Sequence, residues 1–331
     1  MNGSTRRWIA LLAVSLVAGG ALGQAEIRLA SPYPEDSFHV QNLQRFAQDV
    51  QNSTGGKLKV KVHSNASLLK SSEIFAGVRD GKAEAGEVIM SSASKEIPLF
   101  ALDTLPFIVS GYDDARALWE ASRVPAAEQM AAKGLQLLYT VPWQPQNLYS
   151  TRKIETAKDF AGLRLRHYAP TTERIAEMLG AKPVAVPVQM DEIAKAMNND
   201  VYDLSVTSSW TGVQIKSWNK MKYYYKVNAW IPKNMVFMNK ARFDALDAPA
   251  RRAVLDAARA AEARGWTMSQ ALDQSLEAEL AANKTTIGRL DPVTLRFFDR
   301  VGEQMAKEWL KQAPMNDVKV LNGYMIRRSI R

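Results

Sequence analysis

From Glu26 onward the chain switches repeatedly between two hydrophobic periods, and this alternation narrows its fold more than any other feature. "EIRLA" (26–30) reads as a strand. Residues 37–54 set Phe38, Leu43, Phe46 and Val50 at helical spacing until Gly55-Gly56 stops them. "KLKVKVH" (57–63) alternates lysine with Leu58, Val60 and Val62, the pattern of a half-exposed strand. The spacing predicts a helix over 71–82, a strand over 83–90, helices over 112–123 and 125–133, and a strand over 135–141. After the Pro142–Pro145 region a second unit repeats the order, with strands over 163–168, 182–186 and 201–208 and helices over 171–180 and 190–200. Such succession calls for an α/β fold with parallel sheets and helices on both faces. Pro232 marks a further crossing between the units. Residues 249–283 hold no proline after Pro249, which suits a first helical turn. At 1.5 Å per residue that helix runs about 50 Å. It predicts a strut across two lobes, with Gly265 as a point of bend.

Ahead of Glu26, Arg6 and Arg7 precede an apolar run from Trp8 to Ala18 and then small residues, the order of a secretory signal peptide. Cleavage is expected after Gly23 or Ala25. The run is shorter than the roughly 20 residues of a spanning helix. The chain has no cysteine, so a lipid anchor, a disulfide framework and thiolate chemistry all drop out. Export then points to the bacterial periplasm, where 331 residues supply core enough without disulfides. The net charge of +9 becomes +7 without Arg6 and Arg7, because no acid precedes Glu26. That balance favours anionic ligands or surfaces. Lysine and arginine are spread among acids with no basic cluster, so nucleic acid is not an expected partner.

Enzyme signatures are weak. Ser-x-x-Lys occurs at Ser67–Lys70, Ser92–Lys95 and Ser217–Lys220, but its partners Ser-Asp-Asn and Lys-Thr-Gly do not occur, nor does Gly-x-Ser-x-Gly. His39, His63 and His167 are far apart and form no metal-binding spacing. No Walker or dinucleotide glycine pattern is present, so no catalytic residue, metal or cofactor is expected. What stands out is Leu163-Arg164-Leu165-Arg166, two guanidinium groups in step along a strand. They are either a basic surface strand or, for one of them, an anchor for a ligand carboxylate.

The stretch "DFAGLRLRHYAPTTERIAEMLGAKPVAVPVQ" (159–189) resembles the extracytoplasmic, DctP-type solute receptors of tripartite ATP-independent periplasmic (TRAP) transporters. It carries Asp159, Gly162, Leu163, Arg164, Leu165 and Arg166, then Leu179, Gly180, Ala181 and Pro183. "TGGKLKVKVHSNASLL" (54–69), "LDTLPFIVSGYDDA" (102–115) and "MNKARFDAL" (238–246) fit the same family in order. The resemblance implies a two-lobe binding-protein fold with crossing hinge strands and a long helix behind. It divides the chain into a signal peptide (1–25), a first lobe of 26–142 and about 232–265, and a second of 143–231 and about 266–331. It makes Arg166 the carboxylate anchor and Arg164 solvated or structural. Gln146 falls where sialic-acid-binding members carry a second arginine, which speaks against such a ligand. Thr207 falls near the family's polar contact; Thr207 and Ser208 also read as a helix cap. Trp143 would stack on the ligand or sit in the core, and Trp210 likewise. Glu87 falls at an acidic site position and would bind a hydroxyl or amine. The expected partners are a small carboxylate-bearing solute, monocarboxylate in preference to dicarboxylate, and membrane permease subunits, with the receptor a monomer. A solute receptor serving a sensor or another transporter class is the alternative, and a periplasmic enzyme the more distant one.

Overall fold

The computed structural model describes residues 25–329, and its first sheet joins the strands expected over 26–30, 57–63, 83–90 and 135–141 to one over 233–239 that goes unmarked in the sequence. The expected export signal lies, but for Ala25, outside the described residues. Five strands, β1 (Ala25–Ala30), β2 (Leu58–His63), β3 (Ala85–Ile89), β4 (Leu135–Pro142) and β10 (Lys233–Asn239), pair in the order β2-β1-β3-β10-β4. Six more form the second sheet: β5 (Asn147–Ser150), β6 (Arg164–His167), β7 (Lys182–Ala185), β8 (Leu204–Thr207), β9 (Tyr223–Tyr225) and β11 (Thr286–Gly288), in the order β11-β9-β5-β8-β6-β7. The sheets are mixed. β1 runs parallel to β2 and β3, but β10 is antiparallel to both β3 and β4. β5 is likewise antiparallel to β8 and β9. The cause is connectivity: the chain leaves the first sheet through residues 142–147 and returns through 226–233, so each sheet holds a strand running against the βαβ direction. This is the two-lobe α/β architecture of periplasmic binding proteins.

The helices are α1 (Phe38–Ser53), α2 (Ser71–Arg79), α3 (Tyr112–Ala132), α4 (Pro170–Met178), α5 (Met190–Asn198), α6 (Ser209–Gln214), α7 (Lys240–Asp244), α8 (Ala248–Ala282), α9 (Pro292–Gln312) and α10 (Met315–Ser329). Ser37 starts α1 by accepting from the Val40 N–H at 3.1 Å, and Asp247 starts α8 in the same way through Ala250. The two helices expected over 112–133 are one. α3 runs through Pro125, which sits on a half-buried face while Ser122 Oγ donates to the Leu118 carbonyl one turn earlier.

α8 is continuous, and Gly265 serves contact rather than a break. A Cβ there would lie 2.5 Å from Val141 Cγ2 and 2.8 Å from Asn42 Nδ2. The helix spans both lobes. Asn42 donates to the Ala261 carbonyl and Glu262 accepts from the Thr140 N–H, whereas Asp273 accepts from Ser209 and Glu277 from Lys226. α10 docks on α3: Gln129 donates to Asp317, and the Tyr324 hydroxyl donates to the Ile108 carbonyl.

Candidate functional site

In parallel α/β sheets, solutes bind beyond the C-terminal ends of the strands, where the loops diverge. Arg166 sits one residue from that end of β6. The two arginines of this strand meet different fates. Arg164 is half-buried and forked onto Asp203, with Nε 2.9 Å from Oδ2 and Nη2 2.7 Å from Oδ1. Arg166 is 2% exposed. Its Nη2 donates to the Pro187 carbonyl at 2.9 Å, its Nε has no partner, and its guanidinium carbon lies 5.1 Å from the Tyr168 ring centre. Among the described residues no carboxylate pairs with it. Burial pulls its pKa down from the usual arginine value, opposed by the nearby Tyr202, Tyr168 and Tyr33. An arginine stays charged under such a shift. The other deeply buried cation, Lys233, is matched by Asp103 through both its backbone N–H and its ammonium group.

Arg166 lines a cavity with about 320 Å³ of empty space between the lobes. The second lobe contributes Arg166, Tyr168, Thr207, Ser208 and Thr211 with Val188, Met190 and Ile193. The first contributes Tyr33 and Ile89, and the crossing segments contribute Trp143, Gln146 and Pro232. The lining holds one cation and no carboxylate. Burial pushes the Tyr168 hydroxyl up to about 12, against the pull of Arg166. It is therefore a neutral phenol at ordinary pH.

Of the positions singled out in the sequence, Arg166, Gln146, Trp143, Thr207 and Ser208 meet around this cavity. Ser208 is also the N-cap of α6, accepting from the Thr211 N–H at 3.1 Å. Gln146 is 3% exposed and donates to the Gln144 carbonyl at 2.8 Å. Glu87 and Trp210 stand behind the wall instead. Glu87 accepts from Ser31 Oγ at 2.7 Å and from Asn234 Nδ2 at 3.0 Å, and lies 3.1 Å from His39 Nδ1. Those partners consume it, so it is not placed to take a solute hydroxyl or amine. Trp210 packs on Trp143 with ring centres 5.5 Å apart. Tyr33, Tyr168 and Thr211 went unmarked in the sequence. Tyr168 lies two residues past Arg166, and "SPYPEDS" (31–37) is a turn-rich break directly after a strand, the type of loop that lines clefts.

The family model of the bacterial extracellular solute-binding proteins, family 7, matches residues 29–312. Two extracytoplasmic solute receptors of Bordetella pertussis share the structure. DctP6 is 37% and DctP7 35% identical, each with a TM-score of 0.88 over 91% of this chain and 99% of the other, and both bind pyroglutamic acid. A solute-binding protein of Albidiferax ferrireducens is 25% identical over 218 residues, 64% of this chain and 63% of that relative's length.

Proposed function

The chain belongs to the bacterial extracellular solute-binding proteins of family 7, and we propose that it captures a small monocarboxylic acid at Arg166 and hands it to a TRAP permease. It is a binding protein rather than an enzyme, in keeping with its family and relatives. One observation carries the reading: Arg166 is buried, charged and without a carboxylate partner among the described residues. Leaving a buried charge uncompensated costs several kcal/mol, on the order of 3–5. A solute carboxylate supplies the missing charge, and the planar guanidinium accepts it in a fixed orientation. The lack of any second cation in the lining favours one carboxylate over two. The pyroglutamate-binding relatives favour a compact acid such as pyroglutamate, with Gln146 and Thr207 the side chains suited to its polar body.

Binding would stabilise the closed arrangement of the lobes, which the permease then reads. We assign residues 26–142 and about 232–265 to the first lobe and 143–231 and about 266–331 to the second, with α10 carried across onto α3. The receptor acts as a monomer in the periplasm after cleavage following Gly23 or Ala25.

The test is thermal unfolding of the mature chain against hydroxy-, keto-, lactam- and dicarboxylic acids. At 1,000 times the dissociation constant a ligand adds about 4 kcal/mol, a shift of several degrees. A shift with a compact monocarboxylate that disappears in Arg166→Ala is expected. A shift produced only by carboxylate-free solutes would overturn the reading.

A further inference from the structure

The side of the cavity formed by the first lobe and by Trp143 of the crossing segment is aromatic, yet the N–H and O–H groups on it are spent inside the protein. The Tyr33 hydroxyl and the Trp143 indole N–H both end on one atom, Asn234 Oδ1, at 3.2 and 2.8 Å. Each group has a single hydrogen, so neither keeps a donor for a solute. The orientation of the Asn234 amide follows from its partners. An indole N–H only donates, which sets the amide oxygen toward it and leaves Nδ2 for Glu87 Oε1 at 3.0 Å. Turning the amide over would put oxygen against oxygen and N–H against N–H. Glu87 is held in turn by Ser31 and His39, and Asn234, Glu87, Ser31 and His39 are all fully buried. Ile89 and Pro232 add no side-chain donor to this wall. The remaining polar and charged groups come from the opposite lobe, Arg166, Tyr168, Thr207, Ser208 and Thr211, and from Gln146 of the crossing segment.

We infer that Asn234 is a specificity-determining residue. By capturing both donors it leaves the wall formed by Tyr33, Trp143, Ile89 and Pro232 with no side-chain N–H or O–H to offer. The site therefore takes an acid with a compact, largely apolar body and rejects polyhydroxylated acids of the same charge, whose hydroxyl oxygens would meet no donor on that wall. The inference rests on Arg166 as the carboxylate anchor and adds what the remainder of the solute must be.

Calorimetric titration of the mature chain with L-pyroglutamate and L-lactate, against D-gluconate and D-glucuronate, tests it. Wild type is expected to prefer the compact acids by roughly a hundredfold, equivalent to two or three unpaired hydroxyls. Asn234→Ala frees both donors and should shrink that preference at least about tenfold. Asn234→Asp keeps an acceptor for both donors and should keep the preference, although its carboxylate beside Glu87 lowers the thermal midpoint. A residue that merely held the fold would order the variants by stability instead. A wild-type preference for gluconate or glucuronate overturns the inference without any variant. So does an unchanged ratio in Asn234→Ala, or an equal loss of preference in both variants. In each case the anchor reading stands as long as Arg166→Ala abolishes binding. If no acid binds wild type, or Arg166→Ala binds as well, the anchor reading falls and this inference falls with it.

Discussion

Arg164 and Arg166 share a strand and a side-chain type, and burial and partners set them apart. Arg164 has its carboxylate in Asp203, which drops below the usual carboxylate range chiefly through that hydrogen bond. Arg166 has a carbonyl and an aromatic ring. The same comparison applies among the acids. Asp273 on α8 is pushed up to about 6, first by burial and then by Glu277, with Ser209 and Lys226 working the other way. Its carboxyl binds protons more readily in the folded chain than in the unfolded one. Between about pH 4 and pH 6 the native state therefore holds more protons, and stability falls as pH rises through that window. Asp273→Asn should flatten this slope and raise the unliganded midpoint at pH 7.5 by about 2 °C. That corresponds to about 1 kcal/mol after allowing for partial exposure, and a pH series of thermal melts would check it. A midpoint unchanged at pH 7.5 would show the charge to be solvated. At this scale the sequence announced Arg166 only because its neighbours match a family; strand spacing alone gave Arg164 and Arg166 equal standing. Asn234 was not legible at all, since its partners lie 91 to 201 residues away in sequence.

Elements were easier to read than their connections. α1, β2, β4 and α8 lie close to where periodicity puts them, since each buries one regular face. The break expected at Pro125 did not occur because packing of the surrounding turns outweighs one missing backbone donor. β10 and β5 run antiparallel for a reason no local pattern contains, namely where the chain crosses between lobes. Gly265 belongs to this scale too. Gly265→Ala must displace Val141 or Asn42, and Asn42 ties α1 to α8 through Ala261 and Arg264. The gain in helix propensity, about 1 kcal/mol, is expected to be outweighed by overpacking of about 1–3 kcal/mol. Chemical denaturation should show a lower midpoint; a stabilised variant would mean that α1 and α8 separate more easily than their contacts suggest.

In the molecule as a whole, the lobes meet away from the cavity as well as around it. Thr104, from the first lobe, and Thr171, at the start of α4 in the second, place their hydroxyls 2.5 Å apart and buried. Trp309 of α9 donates to the Pro98 carbonyl nearby. Thr171→Val removes the hydroxyl contact without touching the cavity. It should weaken solute affinity by about fivefold, the worth of one hydrogen bond of about 1 kcal/mol to the closed form. Calorimetry would measure this, and small-angle scattering would show a larger radius at subsaturating solute. Unaltered affinity would mean the pair forms in the open form too. The residues that would grip the solute are almost wholly buried, with Tyr33 at 1%, Arg166 at 2% and Gln146 at 3% exposure. A solute gripped from both sides at these residues would depart most readily when the lobes part. Escape is then timed by the hinge rather than by the grip of Arg166, and different acids should share a common upper bound on their dissociation rates. On the proposed reading the receptor would be a clock as well as a trap, reset by a permease that pries the lobes open.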